Sequence, residues 1–216
     1  MGQQGMALKS IGMLAVCALT LAGCSALKGT GAGAVLAMFK GKGDQPAATA
    51  IPRAELEKAG IPLILVRNKT FGTEAFVGPR DSRGSLVNWA TADGVLVTLR
   101  DGVLIETRGL GGDLMSSAMP GIGQVIAGGS HRRSYFYTGP DDRIFRLDLT
   151  CSTEATGSET LAIFGLAYPT RHLVETCRGD GVELQNEYWM QGGLIRQSRE
   201  WVSPTLGYVE LTRVID

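Results

Sequence analysis

From Pro62 onward the chain is a succession of short apolar and β-branched runs separated by turn residues, a cadence that restricts it to short antiparallel strands. The runs are Leu63–Val66, Glu74–Val77, Leu86–Trp89, Val95–Leu99, Val103–Thr107, Tyr135–Tyr137, Arg143–Cys151, Leu161–Leu166, Leu173–Cys177, Val182–Met190, Leu194–Val202 and Tyr208–Val214. Glycine supplies 30 of 216 residues, about double the ~7% usual in proteins, which suits many tight turns. The predicted fold is mainly β: an antiparallel meander forming a curved half-barrel or sandwich. One short N-terminal helix is expected over Arg53–Ala59, opened by Pro52 and closed by Gly60. Around Asp101-Gly102, a three-residue Arg100–Gly102 loop would pair Leu99 with Val103 and Val97 with Ile105 and keep one apolar face, so that register is predicted. The Gly-rich residues 109–130 are expected to be the longest irregular stretch of the domain, the kind of loop that often carries function.

The N-terminus follows a different grammar. Met1–Ser10 carries a single charge, Lys9, and leads into the apolar run Ile11–Leu21. Eleven residues fall short of the ~20 that span a bilayer, so residues 1–23 are a signal peptide rather than a transmembrane helix. Leu21-Ala22-Gly23-Cys24 resembles the bacterial lipoprotein box. That resemblance implies that Cys24 becomes the mature N-terminus, bearing diacylglycerol on its thiol and a fatty acyl chain such as palmitate on its amine. At ~0.8 kcal/mol per buried CH₂, several chains anchor stably where one does not. Ser25 in place of an aspartate implies the outer membrane as destination. Residues 24–50 are a Gly-rich tether, and 51–216 a single domain. Gly29–Ala34 matches a dinucleotide fingerprint formally, but no strand precedes it, and it is discarded.

Composition narrows the partners. The 21 basic residues balance 21 acidic ones, and removing the signal takes only Lys9, so the basic excess of a nucleic-acid binder is absent. Of four cysteines, Cys17 leaves with the signal and Cys24 is lipidated. Cys151 and Cys177 remain as an expected disulfide in an oxidising periplasm, the alternative being two buried thiols. With only His131 and His172 and no Cys-x-x-Cys spacing, no metal site, no cofactor and no catalytic residue are assigned.

Three blocks stand out: Asn88-Trp89; the run Thr107-Arg108-Gly109-Leu110-Gly111-Gly112-Asp113-Leu114-Met115; and Asn186-Glu187-Tyr188-Trp189 followed by Ser198–Tyr208, reading SREWVSPTLGY. Together with the lipobox and Cys151/Cys177 they resemble the YjbF/GfcB family of lipoproteins over about residues 50–216. The resemblance implies an outer-membrane lipoprotein of exopolysaccharide or capsule production, working beside a periplasmic protein and an outer-membrane barrel protein, with no catalytic activity. Glu200 stands where that family leads one to expect glutamine, and the tether is longer than the family's usual one.

The residues themselves leave alternatives open. Asp113 can return toward Arg108 as an ion pair fixing the Gly-rich loop, or the loop can be a ligand site. Polar residues at both parities of Arg196–Glu200 require at least one side chain to enter a protected space. Trp89, Trp189 and Trp201, the only tryptophans, lie near Arg196 and Arg199 and other arginines; such a set suits sugar rings or partner binding, whereas core tryptophans would be packing. The favoured reading is therefore a non-catalytic, membrane-tethered accessory that binds exopolysaccharide or a secretion partner. The alternatives are a glycan hydrolase or lyase using Glu106/Asp113 or Glu187/Glu200, which needs two carboxyls ~5–9.5 Å apart across a cleft, and an acyl-chain carrier with a dry cavity.

Overall fold

The computed structural model describes residues 48–139, 141 and 143–216. Cys24, the signal peptide and tether residues 24–47 therefore lie outside the described residues. The chain from Ala48 is already folded: Ala48–Ala50 form a 3₁₀ turn with Ala48 buried. Helix α1 (Arg53–Glu57) follows Pro52, whose fixed φ suits a helix start, and ends before Gly60, which takes a left-handed φ of 65°.

Twelve strands then run as one antiparallel meander: β1 (Leu63–Asn68), β2 (Thr73–Arg83), β3 (Leu86–Ala90), β4 (Leu96–Arg100), β5 (Val103–Arg108), β6 (Leu114–Ala118), β7 (Gly129–Thr138), β8 (Ile144–Ile163), β9 (Leu166–Gly179), β10 (Val182–Gln191), β11 (Leu194–Ser203) and β12 (Gly207–Ile215). The sheet order is β5-β4-β3-β2-β1-β12-β11-β10-β9-β8-β7-β6, so the first and last strands pair and the sheet curls into a nearly closed barrel. This is the curved half-barrel expected of the sequence. Its two edges, β5 and β6, are brought together by their own connecting loop, where Thr107 Oγ1 accepts the Leu114 N–H at 3.0 Å. Strand β2 turns the corner: it pairs with β1 up to Val77 and with β3 from Gly78, and a bulge after Pro79 absorbs the bend.

Alternation divides β1 between two cores. Ile64 and Val66 face the barrel interior with Val97, Leu104, Tyr135 and Trp201, while Leu63 and Leu65 face outward and are covered by Leu56 of α1 and by Leu161, Ile163 and Tyr168. The last three belong to the far half of the β8–β9 hairpin. Strand β7 pairs with β8 only as far as Thr153, a bulge interrupts the ladder between Ala155 and Gly157, and the ribbon beyond lies across the outside of the sheet as a flap. The disulfide Cys151–Cys177 joins facing residues of this hairpin inside the barrel, as expected.

Three local expectations are corrected. The stretch 109–130 is not irregular, since it contains β6 and a second helix, α2 (Ile122–Ala127), whose Val125 is buried against Leu173, Tyr188 and Met190. These elements hold too few residues for periodicity to rise above the surrounding glycines. Residues Leu161–Leu166 are not one strand: Leu161–Ile163 end β8, Phe164 and Gly165 reverse the chain at positive φ, and Leu166 begins β9. The Asp101-Gly102 turn is a two-residue one, pairing Arg100 with Val103 and Leu99 with Leu104, and a bulge at Ile105 restores Val97 to Thr107. The one-face criterion failed here because both faces are covered: Val97, Thr98, Leu99, Val103, Leu104 and Ile105 are all buried.

Candidate functional site

Period-two alternation sorts the motif blocks into an inside and an outside. In Asn186-Glu187-Tyr188-Trp189, Asn186 and Tyr188 are fully buried in the barrel, whereas Glu187 and Trp189 face outward and are partly exposed. The inward residues join a polar centre that the sequence reading did not foresee. Arg133 on β7, wholly buried, donates to Glu175 Oε2 on β9 at 2.6 Å, to the Tyr188 hydroxyl at 2.9 Å and to Glu200 Oε2 on β11 at 3.4 Å. His131 Nε2 lies 2.8 Å from Glu175 Oε1, and Asn186 Nδ2 donates to the Tyr135 hydroxyl and to Glu175 Oε2. The two oxygens of Glu200 share the N–H of Leu104, a backbone group of edge strand β5, and the Leu104 carbonyl accepts from Arg133. The centre thus supplies partners for a strand edge that no neighbouring strand pairs.

Its electrostatics are asymmetric. Burial alone would raise the Glu175 carboxyl, but Arg133 and the hydrogen bonds from His131 and Asn186 outweigh it and bring the group down to about 2. At Glu200 burial prevails over Arg133 and the Leu104 N–H, with the Glu175 charge adding to it, so this carboxyl is raised. The hydroxyls of Tyr135 and Tyr188 are raised as well, chiefly by burial. A signal for the centre was legible: His131, Arg133 and Tyr135 share one parity, and Glu175 shares that of Leu173 and Cys177. The atoms of His131, Cys151 and Glu175 come within 4.8 Å of one another, but the Cys151 sulfur is bound in the disulfide and Glu175 is held by Arg133, so the trio is packing.

The tryptophan–arginine set is not one surface. Trp89 is 4% exposed and packs in the interior beneath Arg213, and Trp201 meets Tyr135 and Tyr137 edge-on. Trp189, Arg196 and Arg199 do lie on the outer wall, each already engaged. Trp189 stacks on His172 at 4.5 Å and donates its indole N–H to Glu159 of the flap; Arg199 lies 3.8 Å over the Tyr208 ring and pairs with Glu187; Arg196 lies over Tyr168 of the flap and pairs with Asp216. The contacts of Trp189 with His172 and Glu159 and of Arg196 with Tyr168 pin the flap to the wall. Of the suggested carboxylate pairs, Glu187 faces out while Glu200 faces in, Glu106 is engaged by Arg108 and Asp113 by its own loop.

The expected Arg108–Asp113 ion pair is also replaced. Arg108 Nε donates to Glu106 at 2.7 Å, and Asp113 instead holds the loop through its backbone: Oδ1 accepts from Thr107 Oγ1 at 2.9 Å and Leu110 N at 3.1 Å, and Oδ2 from Gly109 N at 2.9 Å. Three local donors within four residues outcompete one flexible guanidinium. The Ser203 hydroxyl donates to the Gly112 carbonyl and accepts the Leu206 N–H, stapling the loop to the β11–β12 turn. Gly112 is required there, because a Cβ would stand 2.9 Å from Thr205. The two blocks thereby converge on one cleft of about 460 Å³ at the barrel mouth, lined by Thr107, Arg108, Gly111, Gly112, Asp113, Met115, Thr138, Gly139 and Thr205.

With that geometry in view, residues 31–214 match the family model described as group 4 capsule polysaccharide lipoprotein, GfcB/YjbF. The chain belongs to the YjbF family. Its description names a lipoprotein and a capsule polysaccharide and no reaction. The fold is also that of a solved structure, the hypothetical lipoprotein YmcC from Escherichia coli K12, with a TM-score of 0.67 and 19% identity over 81% of this chain and 98% of that one. No curated protein matches the sequence. For a YjbF-family chain the two blocks now have a physical meaning, since one builds the mouth loop and the other builds both the polar centre and the turn that staples that loop.

Proposed function

We propose that the protein is a non-catalytic accessory of exopolysaccharide or capsule production, held on the outer membrane by a lipidated Cys24 with its domain in the periplasm, and that it binds polysaccharide at the barrel mouth. The carrying observation is that both motif blocks converge on the mouth cleft, whose lining keeps the Nη atoms of Arg108 and the hydroxyls of Thr138 and Thr205 without a hydrogen-bond partner among the described residues. The family supplies the polymer class. Against an acyl-chain carrier stands the filled interior, where Arg133, Tyr135, Tyr188, Glu175 and Glu200 take the space a lipid would need.

A second reading has its own support. Phe71, Met115, Ile144, Phe145 and Val182, five of the six large hydrophobics left exposed among the described residues, all lie at the mouth end, as a docking rim for an outer-membrane barrel protein or periplasmic partner would require. The test incubates the purified lipoprotein with the organism's own exopolysaccharide, following retention and polymer length, alongside a pull-down from detergent-solubilised membrane with Cys24→Ala as control. Retention without shortening is expected. Shortened polymer would overturn the non-catalytic reading, and recovery of a barrel protein without polysaccharide would leave the docking reading.

A further inference from the structure

We propose that the mouth cleft recognises a carboxylated sugar: a uronate residue places its carboxylate on the free edge of Arg108 and the C–H face of its ring on Phe145 and Met115. The inference rests on the polysaccharide-binding reading above and gives it a site and a ligand class.

The cation comes first. The Arg108 side chain is 68% exposed, and only its Nε is engaged, by Glu106 on the same strand. That bond orients the guanidinium plane. Among the described residues the Nη1 and Nη2 atoms have no partner, so the edge of the fork that grips a carboxylate with two parallel hydrogen bonds is open to the cleft. An exposed pair such as Arg108–Glu106 is worth little, and does not stop Arg108 from taking a second anion. Asp113, the one carboxylate in the lining, does not compete for Arg108. Both its oxygens are filled by the loop's own donors, so a charge that would repel an acidic ligand is absorbed by two backbone N–H groups and a hydroxyl.

The platform comes second. Phe145 is 43% exposed and stacks on Tyr137 with ring centroids 5.8 Å apart and planes 17° from parallel, which orients the phenyl ring and leaves part of it open to solvent. One side of the ring adjoins Gly139 of the cleft lining, where a Cβ would stand 2.3 Å from Phe145 Cε2. Met115, 40% exposed, adds a polarisable apolar contact. The hydroxyls of Thr138 and Thr205 are likewise without partners among the described residues and face the same space. A cation with a free fork, two hydroxyls and a bare glycine backbone within one cleft, with an aromatic ring adjoining it at Gly139, match the carboxylate, hydroxyls and C–H face of a uronate. A carboxylate could equally come from an acidic protein segment, but such a segment offers no ring for Phe145.

The test uses the full-length lipoprotein in detergent micelles and isothermal titration with three probes: a glucuronate oligosaccharide, the same oligosaccharide with its carboxyls reduced to alcohols, and a glutamate-rich peptide. The uronate probe is expected to bind. Carboxyl reduction and Arg108→Gln should each weaken it by about ten- to a hundredfold, the worth of a charge-assisted hydrogen bond, with Arg108→Lys recovering part of the loss. Phe145→Ala should weaken both sugar probes, with unchanged melting confirming that the fold is intact. Equal binding of the acidic and reduced sugars, or indifference to Arg108→Gln, overturns the uronate site; if native exopolysaccharide is still retained, the polysaccharide reading survives. Preference for the peptide, insensitive to Phe145→Ala, overturns the proposal in favour of a protein partner. Failure of the wild type to retain any polysaccharide defeats both.

Discussion

Arg108 on edge strand β5 and Arg133 on β7, one strand in from the opposite edge of the same seam, live in opposite circumstances. Arg133 is buried and spends its donors on Glu175, Glu200, Tyr188, Ser117 and the Leu104 carbonyl. Arg108 is exposed, with one bond to a neighbour on its own strand. A buried cation without carboxylates would be untenable, so the barrel surrounds Arg133 with them and gains fixed positions for three strands. An exposed cation can leave bonds unmade because water fills them, and such a group is free to take a ligand. The difference separates architecture from function by counting partners rather than by residue type.

The comparison is broken most directly at its buried end. Arg133→Met should cost about 3–5 kcal/mol, because Glu175 and Glu200 are left as uncompensated buried carboxyls, and a denaturation midpoint close to wild type would mean the centre is not holding the barrel. Converting Cys151 and Cys177 together to alanine should cost about 3–4 kcal/mol, as expected for cross-linking residues 26 apart, measured as a fall in unfolding free energy.

Acid sharpens the contrast. Glu175 is lowered from 4.5 to about 2, so its stabilisation is complete above pH ~4.5 and lost as pH falls toward 2, on the order of 3 kcal/mol. Glu200 has the opposite sign. Its raised carboxyl contributes fully below pH ~4.5, and that contribution declines as pH rises through the folded-state value. Because a protonated carboxyl carries one donor and one acceptor, as an amide does, Glu200→Gln should retain the contacts to Leu104 and remove this decline, shifting neutral-pH stability by less than about 1.5 kcal/mol. A loss of several kcal/mol would show that the ionised form is required. The same contacts suit the glutamine that the family resemblance suggests at this position.

Smaller effects belong to the mouth. Asp113→Ala strands the Gly109 and Leu110 N–H groups, half exposed to water, and should cost about 1–2 kcal/mol with loosening of the loop in hydrogen exchange. Arg108→Gln should move stability by no more than about 0.5 kcal/mol. A large destabilisation would place Arg108 with Arg133 as an architectural residue and erase the distinction.

Particular elements show how far the sequence could be read. The strands of the second half were visible because one face is interior and the other is wall, so alternation is strong in Leu173–Cys177 and Val182–Met190. It failed where both faces are buried, as at Asp101-Gly102, and where an apolar run hides a tight reversal, as at Phe164-Gly165 within Leu161–Leu166. The motif blocks were found without their roles. Asn186 stands out in the sequence only as part of a block, but its side-chain carbonyl accepts the Trp201 backbone N–H and its amide donates to Tyr135 and Glu175, contacts with the flanking strands β11 and β9 and across the interior with β7 that no local pattern announces.

By itself the sequence determined what short-range chemistry decides: antiparallel strands from alternation and turn residues, α1 from its proline and glycine, and the family from ordered motif blocks. Only the tertiary structure decided which groups are spent. Whether Asp113 serves Arg108 or its own loop, whether Trp201 faces a ligand or Tyr135, and whether Arg108 has a free edge depend on the closure of twelve strands, with each bulge shifting register and reversing the faces beyond it. Residue type fixes what a side chain can bond to, and the folded neighbourhood fixes whether that bond is already made.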